Sequence, residues 1–169
     1  ERLALRDALD RVLAEDLVSP LNVPAHTNSA MDGYALAGAD LPGDEIKNYR
    51  VIGTAYAGVP FKGNCNSGDC VRIMTGAPMP AGTDTVVMQE QVESFADERV
   101  RMGAGHRAGQ NVRQAGEDIA RGRTVLQAGR RLSPADLGVL ASLGLGEVNV
   151  RRRLRVAFFS TGDELRSIG

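Results

Sequence analysis

The chain's 169 residues carry a formal net charge of −1 and are 43% hydrophobic and 24% charged, the balance of a folded protein rather than a disordered one. That near-neutral charge leaves no overall field to draw in nucleic acid, and 4% aromatic content without Trp provides little for base stacking. No run approaches the apolar length of a membrane span and the charged, amphipathic start is unlike a secretion signal, so a cytoplasmic protein that binds neither nucleic acid nor membrane is expected.

In chain order, Leu5, Leu9, Val12 and Leu13 fall at i, i+4, i+7 and i+8 with Arg6, Asp7, Asp10 and Arg11 between them. This spacing predicts an amphipathic helix from about residue 3 to residue 15, too short to stand without docking. Ser19-Pro20 and Val23-Pro24 end it, because the residue before proline is pushed out of the helical region. The stretch Asn28-Ser-Ala-Met-Asp-Gly-Tyr-Ala35 follows. Asp32-Gly33 reads as a turn in which the glycine takes positive φ and the carboxylate lies beside free backbone N–H groups. The small residues around it would let a ligand or a second backbone approach closely. A turn whose Asp only bonds its own backbone explains the same letters.

Beyond Asp32 the pattern changes to short strand-like runs between turn signals: Tyr49–Thr54, Asp69–Met74, Thr85–Gln91 and Arg99–Met102. Such spacing favours an all-β unit over alternating strands and helices. Cys65 and Cys70 are expected as free thiols in a turn, since the only histidines, His26 and His106, leave too few ligands for zinc. The same scarcity leaves little room for a Ser-His-Asp or Cys-His mechanism. Arg123–Leu126 and Leu132 make a further extended piece around the Ala128-Gly129 turn. Ser133-Pro134-Ala135-Asp136 opens a helix, with Ser133 as N-cap, Asp136 in capping-box position, a buried stripe of Leu137, Leu140 and Ala141, and Gly144 to end it. Glu147–Val150 reads as a strand, and Arg151–Arg155 as a solvated run. Leu154–Phe159 has the unbroken apolar character of a buried parallel strand, and Thr161 with Glu164 has capping-box spacing for a helix directly after it. One strand and one helical turn cannot cover both faces of such a layer, so these residues are expected to be a fragment of a longer protein.

Four Gly-flanked stretches carry the candidate chemistry: Asp32; Thr75 in Arg72-Ile-Met-Thr-Gly-Ala-Pro-Met-Pro80; Asp118 in Gly116-Glu-Asp118; and Thr161-Gly-Asp-Glu164. Each has an ordinary structural explanation. Together they put carboxylates and a hydroxyl on turns, where magnesium-dependent phosphate chemistry is built, since Mg²⁺ takes one or two carboxylates and fills the rest with water and phosphate. Neither a Walker A loop nor a Gly-x-Gly-x-x-Gly after a strand is present.

The ordered set Ser29–Ala35, Arg72–Pro78, Val86-Val-Met-Gln-Glu-Gln91, Asn111-Val-Arg113 with Gly116–Asp118, and Ser160–Leu165 resembles the molybdopterin molybdenumtransferase family, which includes MoeA and the gephyrin E domain. The resemblance runs through essentially the whole chain. It implies a mixed α+β, mainly β fold: a discontinuous first domain (1–18 with 119–152), a β-rich domain inserted in it (19–118), and at 153–169 the first βα unit of an α/β molybdopterin-binding domain. It also implies Mg²⁺-dependent insertion of molybdate into adenylylated molybdopterin with release of AMP, and a fragment inactive by itself. Functional positions carried over are Asp32, Thr75, Asp118 and Glu164, with Asp32, Asp118 and Glu164 as metal ligands. Ser160, Thr161, Gly162 and Asp163 would bind the cofactor substrate. The implied partners are a second copy of the chain, molybdopterin adenylyltransferase and other proteins of the pathway. In the implied homodimer, Asp32, Thr75 and Asp118 of one subunit would face Glu164 of the other. A gephyrin-like scaffold without catalysis is the alternative.

Overall fold

A computed structural model describes residues 1–95, 98–164, 166 and 168. Its strands are β1 (Arg2–Ala4), β2 (Leu17–Val18), β3 (Asn28–Ser29), β4 (Gly33–Leu36), β5 (Lys47–Ala55), β6 (Asp69–Ile73), β7 (Thr85–Met88), β8 (Val92–Phe95), β9 (Arg99–Met102), β10 (Val112–Arg113), β11 (Thr124–Leu126) and β12 (Glu147–Asn149). The α-helix among the described residues is α1 (Pro134–Ser142), so the mainly β expectation holds. The chain divides into two compact units, Val18–Arg123 and Glu1–Leu17 with Thr124–Gly169.

The Val18–Arg123 unit is a six-stranded sheet in the order β7-β4-β6-β5-β9-β8, antiparallel except for β5 beside β6. Both of its faces are covered. Tyr34, Leu36, Tyr49, Cys70, Val87 and Val100 pack on one side, and Ala35, Ala55, Val71, Ile73, Ala77 and Val86 on the other. β4 is buried along its whole length, which is why it reads as small and apolar residues without polar alternation. The predicted runs at 49–54, 69–74, 85–91 and 99–102 correspond to β5, β6, β7 and β9, although β7 ends at Met88 in a 3-10 turn. Cys65 and Cys70 are free, as expected, and both are buried, Cys70 within β6 rather than in a turn; desolvation pushes their thiols up to about 11 and about 12.

In the other unit β1 pairs with β12, and Leu13, Leu126, Leu132, Leu140, Val148 and Val150 form the core. The helix predicted over 3–15 does not form. Its residues are a strand, a single 3-10 turn at Leu5–Asp7, and isolated bridges from Val12 to Arg131 and from Leu13 to Val150. Asp10 adopts a left-handed φ of 62°, and the backbone bonds go to distant partners, Leu5 N–H to Gly146 O (2.8 Å) and Leu13 N–H to Arg130 O (2.9 Å). A lone short helix is marginal in water, so a chain that finds these long-range partners abandons it. Leu9, assigned to the apolar face, is 43% exposed.

The second helix forms as its sequence dictates. Ser133 Oγ accepts from Asp136 N–H at 3.3 Å while Asp136 Oδ2 accepts from Ser133 N–H at 2.9 Å. The helix closes in a Schellman motif, with Gly144 N–H to Ala141 O, Leu145 N–H to Leu140 O, and Gly144 at φ 75°. Leu140 is buried and Leu137 packs on the core, but Ala141 is exposed, because the buried face turns toward Leu143 instead.

Asp136 is only 4% exposed, and hydrogen bonds from the Arg130 guanidinium, then from Ser133, hold its carboxyl at about 2. A carboxyl with a folded value below its unfolded one stabilises above the unfolded value and loses that contribution as pH falls. Stability is therefore expected to decline from about pH 4 toward pH 2, and Asp136→Asn to flatten that part of a plot of urea midpoint against pH. An unchanged slope in the variant would show that other carboxyls carry the acid sensitivity.

Residues 154–159 lie outside any strand, with Leu154 90% and Phe158 92% exposed. No helix forms over 160–164, and Leu165 lies outside the described residues. The reason is physical: a parallel strand exists only hydrogen-bonded to neighbours, and no described strand runs beside it. Among the described residues no helix is long and apolar enough to cross a membrane.

Candidate active site

Asp32 immediately precedes β4 and Thr75 follows β6. These strands are antiparallel with Gly33 opposite Ile73, so the start of one lies beside the end of the other. Asp32 Oδ1 accepts two hydrogen bonds at 2.7 Å, from the Thr75 backbone N–H and from the Thr75 hydroxyl. Those bonds, the backbone one foremost, hold Asp32 below the usual carboxylate range, with the positive charge of Arg72 assisting. Oδ2 makes no hydrogen bond among the described residues. The site therefore presents a fixed carboxylate anion with one oxygen free.

Three loops are laced to the segment that leads into Asp32. Ser29 O accepts from Gly76 N–H (2.8 Å) and Ser29 N–H donates to Ala77 O (3.0 Å), which ties in the Thr75 turn. β3 pairs with β10, and Ala30 N–H donates to Asn111 O at 2.9 Å. Ser29 Oγ accepts from Met31 N–H (3.2 Å) and donates to Met31 O (2.6 Å), closing the bend before Asp32. The loop after β10 is pinned in turn by Gly116 N–H to Pro24 O and Asp118 N–H to Val23 O, each at 3.0 Å.

Gly33 corrects the turn expectation. It has no positive φ and is the first residue of β4, where a Cβ would lie 2.1 Å from Val87 O. It is glycine because a neighbouring backbone passes there, the second of the two uses considered for the small residues of this stretch.

Asp118 lies in the same unit but makes no hydrogen bond with Asp32 or Thr75. Its Oδ1 and Oδ2 accept from Arg113 Nη2 at 2.7 and 2.6 Å, and Arg113 Nε donates to Glu117 Oε1 at 2.9 Å. Glu164, with Ser160, Thr161, Gly162 and Asp163, belongs to the other unit, in an exposed stretch outside any strand. Among the described residues no three His, Cys, Asp or Glu side chains converge on one metal position. Arg113 was not singled out from sequence. Its signal was there, an arginine four and five residues before two acids.

The oxygen donors suit a hard cation such as magnesium. Asp32 offers a carboxylate oxygen without a competing donor, whereas Asp118 would first have to release Arg113.

A curled mixed sheet buried on both faces, with a carboxylate–hydroxyl pair at its strand ends and the chain's two ends building a second unit, defines a two-unit, mainly β module of α+β type. The chain belongs to the family described as the MoeA N-terminal region (domain I and II), which matches residues 1–144. It is 46% identical over 169 residues to the molybdopterin molybdenumtransferase of Haemophilus influenzae, covering 100% of this chain and 41% of that protein. It is 34% identical to the gephyrin of Dictyostelium discoideum, covering 98% of this chain and 24% of that one. The crystal structure of the molybdopterin biosynthesis MoeA protein of Pyrococcus horikoshii superposes with a TM-score of 0.83 at 34% identity, over 89% of this chain and 40% of that chain. The chain thus spans about two fifths of the molybdenumtransferase it matches.

Proposed function

We propose that this chain contributes one wall of the active site of a molybdopterin molybdenumtransferase, which inserts molybdate into adenylylated molybdopterin and releases AMP. The observation that carries the reading is the Asp32–Thr75 pair, an anion held by two hydrogen bonds with one oxygen free, in a chain 46% identical to a protein of that name. Asp32 is the residue here best suited to hold Mg²⁺, with Glu164 of a second copy as the complementary carboxylate. When bound, the ion would neutralise charge on the diphosphate that carries AMP. Thr75 fixes the carboxylate so that no reorganisation is needed when the substrate arrives. Arg113, oriented by Asp118 and Glu117, supplies cationic donors for a phosphate or molybdate oxygen. Ser160, Thr161, Gly162 and Asp163 bind the pterin substrate once the strand before them is paired. The working form is a cytoplasmic homodimer acting beside the adenylyltransferase, and the 169-residue piece alone is inactive.

The test is AMP release from adenylylated molybdopterin by the full-length protein, with and without molybdate and Mg²⁺. Release that depends on both supports the transferase. No release under any condition overturns it and leaves the second reading, a partner-binding scaffold, which the 34% identity to a protein named gephyrin favours.

A further inference from the structure

A cavity of about 250 Å³ opens on one face of the six-stranded sheet, between its central strands β4, β6 and β5 and its β9-β8 edge. Tyr34, Arg72 and Thr54 line it from the central strands, and Ser94, Phe95 and Arg99 from β8 and β9. Tyr34 and Arg72 are register partners, as are Thr54 and Arg72, so the three side chains share one face. The Arg72 guanidinium stacks over the Tyr34 ring at 5.2 Å and donates from Nη1 to the Tyr34 hydroxyl at 3.1 Å. Its Nη2 donates to Gln89 Oε1, and its Nε is buried with no partner. The Tyr34 hydroxyl also meets Ser94 Oγ at 3.3 Å.

Arg50 pairs with Asp69, Arg101 with Glu93 and Arg113 with Asp118, yet among the described residues neither Arg72 nor Arg99 has a carboxylate within ion-pair distance. Two guanidinium groups with no ion-pair partner among the described residues therefore line one cavity, together with the hydroxyls of Ser94 and Thr54. Glu98, exposed and in a left-handed conformation (φ 53°), is the one carboxylate among the described lining residues and opposes an anion. The buried, unpartnered Nε of Arg72 is costly to leave unsatisfied, and an anion held between the two guanidinium groups would satisfy it. Phe95 and Val51 add an apolar wall.

We propose that this cavity binds a small oxyanion, a phosphate or sulfate group, against Arg72 and Arg99. The group is either the free ion or the head of a small ligand whose apolar body lies on Phe95. The site shares Arg72 with the surroundings of the Asp32 carboxylate, but its test does not depend on the transferase reading.

Calorimetric titration of the full-length protein with inorganic phosphate, at constant ionic strength set with chloride, tests it. The expected result is saturable binding with a dissociation constant of about 1 mM or tighter. Arg99→Gln, at an exposed position, should weaken it about fivefold or more, with Arg72→Met weakening it further and Glu98→Gln tightening it. Arg101→Gln, on the same strand but already paired to Glu93, should leave it unchanged. Circular dichroism checks that each variant is folded, and should Arg72→Met fail to fold, Arg99→Gln and Glu98→Gln decide. Phenyl phosphate binding tighter than phosphate identifies the head of a ligand, and equal affinity identifies the free ion. Absence of saturable binding, or binding indifferent to both Arg99→Gln and Glu98→Gln, overturns the proposal.

Discussion

Gly33→Ala is expected to destabilise this chain severely. A Cβ at that position would sit 2.1 Å from Val87 O, 2.9 Å from Val87 C and 3.1 Å from Met88 Cα, so the obstruction is backbone on every side. No flexible side chain can move away. Relief requires β4 and β7 to separate, which breaks the register of Gly33 with Met88 and Tyr34 with Val87 and opens a core buried on both faces. We expect a loss of about 3 kcal/mol or more in urea unfolding, at or beyond the top of the usual range for overpacking. Gly103→Ala is the control, since nothing lies within 4 Å of its added Cβ and its φ is not positive, and it should be neutral to within about 0.5 kcal/mol. If the two variants unfold at the same urea concentration, the close approach of the strands is not what selects glycine at 33.

The second large effect concerns chemistry rather than stability. Asp32→Asn in the full-length protein keeps the shape of the side chain, and its amide oxygen can still accept both Thr75 bonds while an NH₂ replaces the free oxygen. The charge alone is lost. If that oxygen meets a cation, AMP release should fall about 100-fold or more, with an unchanged melting temperature. Thr75→Val should cost less, about tenfold, because the backbone N–H that contributes most to holding Asp32 ionised remains. The sign of its pH effect follows. A carboxyl held below its ordinary value stays charged until pH falls through that lower value, so removing the hydroxyl should move the acid limb of the rate profile to higher pH. An Asp32→Asn enzyme with full activity would reduce the pair to a structural staple and favour the scaffold.

Legibility from sequence tracked how local the cause of each feature is. Ser133, Pro134, Asp136 and Gly144 determine a helix within one stretch of chain, and it forms as read. The strand runs at β5, β6 and β9 were legible because β-branched residues and turn signals mark them locally. β4 was not, because a strand buried on both faces and beginning in glycine looks like a turn with a small-residue tail. Residues 3–15 misled for the complementary reason: their periodicity is helical, yet their backbone partners lie far along the chain, in Arg130 and Gly146.

The sequence by itself determined the mainly β character, the capped helix and the acidic, Gly-flanked stretches that identify the family, since each resides in residues adjacent along the chain. Tertiary structure alone decided that Asp32 and Thr75, separated by 43 positions, share two hydrogen bonds. It alone decided that Gly33 yields space to a neighbouring strand. Those outcomes depend on which strand edges find one another, and pairing energy is gained between segments that no local window contains.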